Sequence, residues 1–218
     1  MTILFRRVLI IRKQGWLYGL TASLLIFIAA AMLASHSKAS QLDESVADWF
    51  ASIQSGALTD LFKAMTTLGS TVGIIGITLV LAAWFAWKQG WRRAVLLIAG
   101  VAGAYAGNTI VKSGFDRARP AMAWGIEAEG SSFPSGNAML AIVMYSLAAI
   151  WIIKDRRINR VVKWIVAIIT IILIILMGAS RLYFSVHYTT DIIGGYAAGF
   201  VIVCLVMALA SRKRLSSR

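Results

Sequence analysis

The sequence predicts an all-α polytopic membrane protein with six transmembrane helices. Three observations carry this. Hydrophobic residues make up 59% of the 218, charged residues only 14%, and the apolar residues gather into six long runs separated by basic clusters. A soluble chain of this size could not hide so much apolar surface, so the bilayer must be its solvent. Only helices or closed barrels satisfy their backbone hydrogen bonds in hydrocarbon. The stretch Ile168–Leu176 shows no polar alternation, which disfavours a barrel. Two prolines leave no room for Pro-rich linkers, and a single membrane domain over residues 1–218 is expected.

The expected spans are Trp16–Leu33, Val72–Trp87, Ala94–Val111, Ala138–Ile153, Trp164–Ala179 and Ile192–Ala210. Each is near the length that crosses ~30 Å of hydrocarbon as a helix, the shorter ones with a flanking turn. Trp16, Trp84, Trp87, Trp91, Trp151 and Trp164 fall near run ends, where an interfacial aromatic belt is expected. The segment Ser35–Ser70 mixes polar and apolar residues. Its Trp49, Phe50, Ile53, Leu58, Leu61, Phe62 and Met65 predict short helices lying on the membrane surface.

Charge sets the orientation. Of 22 Lys and Arg, sixteen fall on the side that holds both termini: Arg6, Arg7, Arg12, Lys13, Lys88, Arg92, Arg93, Lys154, Arg156, Arg157, Arg160, Lys163, Arg212, Lys213, Arg214 and Arg218. The other side holds Lys38, Lys63, Lys112, Arg117, Arg119 and Arg181. The positive-inside rule then places both termini in the cytoplasm of a cell membrane. The net charge of +13 reads as topology signal and contact with anionic lipid headgroups, not as a nucleic-acid surface. A competing reading makes the first run a cleaved signal peptide ending near Ala39, but it is long for such a segment. One cysteine, Cys204, and two histidines exclude an internal disulfide and a structural zinc site.

Polar chemistry collects on the outer side. The third connection carries Lys112, Asp116, Arg117, Arg119 and Pro120, then Phe133-Pro134-Ser135-Gly136-Asn137. The last begins at Ser180-Arg181 and runs to His187 and Asp191. Lys112, Arg119 and Arg181 can surround a phosphoryl group, the arginines through their planar fork. Ser135 and Gly136 precede the fourth span, where free backbone N–H groups can meet an anion. His187 can act as nucleophile if Asp191 accepts its other ring N–H and fixes the tautomer.

Taken singly, each residue has a plainer reading. Lys112 would snorkel, Arg119-Pro120 would be a loop, Pro134-Ser135-Gly136 a helix start, and Arg181 an interfacial anchor. The His187–Asp191 spacing alone fits a surface hydrogen bond. Arg117 is expected to pair with its neighbour Asp116, and His36 to be solvated. Glu127 and Glu129 are expected to be ordinary loop residues, and Asn108 to serve as interhelical glue.

The combination outweighs these. Lys112 with Arg119-Pro120 after six intervening residues, Pro134-Ser135-Gly136-Asn137, and Ser180-Arg181 followed by His187 and Asp191 resemble the three motifs of the type 2 phosphatidic acid phosphatase (lipid phosphate phosphatase) family. That family is related to bacterial acid phosphatases and vanadium haloperoxidases, so the resemblance implies their helical core. It further implies a lipid phosphatase without metal or other cofactor, acting on a membrane lipid phosphate. Lys112, Arg119, Ser135, Gly136 and Arg181 would bind phosphate, His187 would form a phosphohistidine, and Asp191 would orient it.

The chain departs from the pattern at Asn137, where the family usually has the histidine that protonates the leaving oxygen. Asn can donate an amide hydrogen bond but gives up no proton at neutral pH. General acid help is worth ~10²–10⁴-fold in rate. A diphosphate substrate such as undecaprenyl diphosphate needs no such help, because its leaving group is a phosphate with a second pKa near ~6. This is the leading expectation. The alternatives are an enzyme slowed by a His-to-Asn replacement, a lipid-phosphate binding or transport protein that no longer catalyses, and a lipid phosphotransferase.

Overall fold

The computed structural model describes residues 2–35, 41–120, 126 and 130–212. The expectations on His36, Glu127 and Glu129 fall outside them. Among the described residues every regular element is an α-helix: α1 (Thr2–Ala34), α2 (Gln41–Ser52), α3 (Gly56–Leu68), α4 (Thr71–Gln89), α5 (Trp91–Ser113), α6 (Gly136–Ile153), α7 (Arg160–Tyr183) and α8 (Thr189–Arg212). Six stretches are long and apolar enough to cross a membrane: Gly15–Ala34 of α1, α4, α5, α6, α7 and Thr189–Ser211 of α8. Each contains one of the expected runs, and all but the first extend past it into polar residues. Ser70 Oγ accepts the Gly73 N–H at 3.1 Å, and Asn159 Oδ1 accepts the Val162 N–H at 2.9 Å. Both close helix ends whose donors would otherwise lack partners. Gly90, with φ of +99°, makes the tight turn between α4 and α5, a conformation that a side chain disfavours.

The centre of the bundle is α6, which packs against α5, α7 and α8, while α1 lies along α8. Val143, Met144 and Leu147 of α6 are fully buried with Phe85, Leu97 and Val203. The opposite extreme is α7, where Ile168, Ile169, Ile171, Ile172 and Ile175 stay exposed. An apolar helix with so little protein contact makes sense only with lipid around it. One expected belt residue differs: Trp151 is 4% exposed and meets Phe85 edge-on at 5.4 Å. It fills the gap between α4 and α6 and does not face headgroups.

The basic turns meet at one end of the bundle. Arg157 donates to the Lys88 carbonyl at 3.1 Å, and Lys154 lies over the Trp16 ring at 5.0 Å. The C-terminal ends of α5 and α7 and the N-terminal ends of α6 and α8 therefore gather at the other.

The short helices α2 and α3 pack onto the bundle. Phe50 and Phe62 turn inward and pack with Tyr183, Phe184 and Val186, while Trp49 and Leu61 stay exposed. The Tyr183 hydroxyl bonds Thr59 Oγ1 at 2.7 Å and donates to the Ser55 carbonyl at 3.2 Å. This clamps the segment after α7.

The crossing of α6 and α8 is close because α8 presents Gly195 and Gly199, one turn apart. A Cβ on Gly195 would stand 2.5 Å from the Ser135 carbonyl oxygen. Small residues at this spacing let helix backbones approach in membranes, and here they press the start of α6 onto α8. Gly195→Ala should therefore lower the melting temperature in detergent, by the equivalent of ~1–3 kcal/mol typical of overpacking. Gly103→Ala, where nothing lies within 4 Å of the added Cβ, should not. Equal melting of the two variants would contradict this account of the crossing.

Candidate active site

The residues singled out in the sequence form three motifs in two connections, α5–α6 and α7–α8, and the bundle brings them to one cavity. Lys112 ends α5, Asn137 opens α6, Arg181 ends α7, and His187 precedes α8 by two residues. Arg119 reaches in from the α5–α6 connection. A cavity of about 470 Å³ is lined by Lys112, Arg119, Gly136, Asn137, Arg181 and His187, with Thr66, Ser70, Thr71, Tyr105, Asn108, Thr109, Ile126 and Leu140 completing the wall.

His187 is 4% exposed. Its Nε2 lies 3.4 Å from Arg119 Nη1, on the cavity side, and its Nδ1 lies 3.4 Å from Asp191 Oδ2. The Nδ1 contact is close enough for electrostatic pairing but is not aligned as a hydrogen bond. Burial pushes the imidazole pKa down to about 4, with the Asp191 carboxylate working in the opposite direction. A ring in this setting is neutral at physiological pH, with one nitrogen lone pair available.

Asp191 is completely buried and richly held. Its Oδ2 accepts the Tyr188 N–H at 2.8 Å, and its Oδ1 accepts Arg117 Nη1 at 2.5 Å. The expected pairing of Arg117 with Asp116 is thus overturned. Asp116 is exposed, whereas Arg117 points inward, because neighbouring side chains diverge in a non-helical segment. The partners of Arg117 are Asp191 and, at 3.0 Å, Asp43 of α2. Tyr188 lies beneath its guanidinium, 4.2 Å from the ring centroid.

The cations facing the cavity contrast with this. Arg119 donates to the carbonyls of Val186 at 2.7 Å and Gly130 at 3.1 Å, and burial lowers its pKa below the usual arginine value. Neither Lys112 nor Arg181 has an ion-pair partner among the described residues. Arg181 is 7% exposed, and its Nε is buried without a hydrogen-bond partner among them. A cation held out of water is costly unless an anion or acceptor compensates it. The site therefore has donors in place for an anion.

The second motif is arranged somewhat differently from expectation. Ser135 lies behind the cavity wall. Its backbone N–H is engaged by the Asp191 carbonyl at 3.0 Å, so that N–H is not available to an anion. Its Oγ is buried without a partner among the described residues. The next N–H groups, at Gly136 and Asn137, open α6 with no side-chain cap and border the cavity. The Asn137 amide is engaged by no other described residue. Asn108 serves as glue, but to a loop: its Nδ2 donates to the Pro134 carbonyl at 3.2 Å. Its Oδ1 would meet a Cβ on Gly136 at 2.9 Å, so only glycine fits there without displacement.

Asp43 and Thr190 were not singled out by the sequence. The available signal was faint: Asp43 falls in register with Val46, Phe50 and Ile53 on the face that α2 turns inward, an acid on an apolar stripe.

Comparison with known proteins agrees with this assembly. The sequence pattern of the PAP2 superfamily matches residues 93–215. Phosphatidylglycerophosphatase B of Bacillus subtilis is 28% identical over 186 residues, covering 84% of this chain and 91% of that protein. The crystal structure of a transmembrane PAP2-type phosphatidylglycerolphosphate phosphatase from Bacillus subtilis superposes with a TM-score of 0.81 at 27% identity, covering 89% of this chain and 97% of that one. Aquifex aeolicus LpxE shares the fold at a TM-score of 0.60 and 19% identity, covering 78% and 96%.

The buried imidazole has a measurable signature. Its folded-state pKa lies below the ~6.5 of an unfolded histidine, so on acidification the unfolded chain takes up the proton first. The stabilising contribution is complete above ~6.5 and is lost as pH falls toward about 4. His187→Gln should show a shallower fall in melting temperature between pH 7 and 4 than the unaltered chain. Identical slopes would place the imidazole in water.

Proposed function

Because the chain belongs to the PAP2 superfamily, we propose that it is a membrane lipid phosphatase that works through a phosphohistidine on His187. The observation that carries this reading is the buried imidazole of His187 facing a cavity in which Lys112 and Arg181 have no carboxylate of their own among the described residues. A phosphoryl group seated there has its oxygens neutralised by Lys112, Arg119 and Arg181 and receives hydrogen bonds from Asn137 and the start of α6. These donors are worth most as charge develops in the transition state.

His187 Nε2 then attacks phosphorus. The N–P bond forms, the P–O bond to the lipid breaks, and the leaving oxygen departs with the electron pair. Asp191 stabilises the ring by accepting a hydrogen bond from the Nδ1–H as positive charge grows on the imidazole. Water attacks the phosphorus of the phosphohistidine, the N–P bond breaks, and inorganic phosphate leaves. The roles assigned to Lys112, Arg119, Ser135, Gly136, Arg181, His187 and Asp191 belong to this proposal, with Ser135 acting through the loop it anchors. So does a chemistry that needs no metal. Positive charge concentrated at the opposite end of the bundle supports a site on the extracytoplasmic side, with both termini in the cytoplasm.

Asn137 supports a diphosphate substrate, with a polyprenyl diphosphate such as undecaprenyl diphosphate as the leading candidate. A lipid monophosphate leaves without a proton, whereas a monoester releases an alkoxide whose parent acid is about as weak as water, near ~15.7. The second reading is a lipid phosphate monoester such as phosphatidylglycerophosphate, favoured by the name of the Bacillus subtilis relative.

The deciding experiment is phosphate release from polyprenyl diphosphate, phosphatidylglycerophosphate, phosphatidate and a soluble monoester. Under the leading reading diphosphate is cleaved much faster than the monoesters. Asn137→His then speeds the monoesters by ~10²–10⁴-fold with little change on diphosphate. Equal rates across the panel would remove the diphosphate preference. Arg181→Gln should lower kcat by ~10²–10³-fold, as loss of one transition-state donor does. Labelled substrate should leave acid-labile phosphate on the chain but not on His187→Ala. Label retained by that variant would refute the nucleophile assignment.

A further inference from the structure

The catalytic pair does not stand alone. Behind it lies a buried network reaching an acid contributed by α2, outside the membrane spans. Asp43 is 2% exposed. Its Oδ1 accepts the backbone N–H of Thr190 at 3.0 Å, and its Oδ2 accepts Arg117 Nη2 at 3.0 Å. The Thr190 hydroxyl joins the two: it accepts Arg117 Nη1 at 2.6 Å and lies 3.2 and 3.1 Å from the Asp43 oxygens, to which it can donate. The same Nη1 donates to Asp191 Oδ1 at 2.5 Å.

One guanidinium is therefore shared by two carboxylates, and this has a geometric consequence. An Arg–carboxylate pair left to itself tends toward the two-point arrangement in which both nitrogens meet both oxygens of one acid. Asp43 occupies Nη2, so Arg117 holds Asp191 by Oδ1 alone. Asp191 Oδ2 is left for the Tyr188 N–H and for His187 Nδ1. There is also a charge consequence. Two carboxylates on one guanidinium leave a net negative charge beside the imidazole, which favours the positive ring that forms as the N–P bond is made. Asp43 also fixes the backbone at Thr190, one residue before Asp191.

We propose that Asp43 is a positioning residue for the His187–Asp191 pair, acting through Arg117 and Thr190 to keep one Asp191 oxygen aimed at the imidazole. The outer helix α2 is by this account part of the machinery and more than a cover. The proposal rests on the reading of His187 as nucleophile, and Asp43 itself touches no reacting atom.

The test is steady-state hydrolysis of polyprenyl diphosphate by the full chain in detergent micelles. The variants are Asp43→Asn, which keeps the shape and removes the charge, Asp191→Asn, and the double variant. Asp43→Asn should lower kcat about 10- to 100-fold, as loss of a group that orients a reacting side chain through another typically does. KM and competitive inhibition by inorganic phosphate should not move, because the phosphate-facing cations are untouched. The double variant should be no slower than Asp191→Asn alone, since the two residues act in series. Unchanged kcat in Asp43→Asn, a loss appearing in KM, or losses that multiply in the double variant would each overturn the proposal. If Asp43→Asn does not fold, Thr190→Val decides: it removes the bridging hydroxyl and should reduce kcat alone, and full turnover rejects the role. Wild-type turnover by Asp191→Asn takes down the reading of the site itself. A crippled Asp191→Asn beside an unimpaired Asp43→Asn takes down only this inference.

Discussion

Charge separation inside one end of a helical bundle is the constraint on which the rest of the structure depends. Arg117 takes up two buried acids, Asp43 and Asp191. Lys112 and Arg181 are thereby left facing the cavity without a carboxylate among the described residues. Were Asp191 free to swing toward either of them, the site would neutralise itself and lose its call on an external anion. Burial makes this partition matter, because charges in a poorly hydrated region interact far more strongly than in water. His187 stands on the boundary, one nitrogen toward the acids and the other toward the cations.

Helix packing holds the two halves apart. Gly195 and Gly199 let α8 press against the start of α6, which locks the Ser135 N–H onto the Asp191 carbonyl. The segment that carries His187 and Asp191 and the turn that opens α6 are therefore one unit. Asn108 fixes that loop from α5. The aromatic group of Phe50, Phe62, Tyr183 and Phe184 braces the segment between α7 and α8 from outside. Rigid supports on several sides suit the proposed chemistry, which depends on aiming one ring nitrogen at phosphorus, where small misplacements are expensive in rate.

The apolar exterior follows a different logic. With lipid as solvent, exposed isoleucines along α7 carry no penalty, and the tightly packed interior is confined to α6 and its neighbours. Polar side chains are affordable only where they are paired or where they meet a ligand, so the functional residues crowd at helix ends. The connections at the end opposite the basic turns thus carry the candidate site, and the spans serve to hold their ends in register.

How much was legible beforehand differs by residue. Composition and run length determined the six spans, because hydrocarbon tolerates almost nothing else. The motif spacing marked Lys112, Arg119, Asn137, Arg181 and His187, which line the cavity, and Asp191 behind His187; all but Arg119 sit at or near a helix end whose position the runs already set. Tertiary structure alone decided which way the loop side chains face. Arg117 and Asp116 are neighbours in a segment without periodicity, so nothing local showed that one turns into the protein and the other out. Trp151 read as an interfacial residue until the approach of α4 gave it a buried partner. Asp43 is more than seventy residues from Arg117, and only the closing of the bundle brings that carboxylate to its cation. Local sequence fixes backbone state and polarity; contacts between distant segments follow from how the helices pack, and the second carboxylate on Arg117 is one of those.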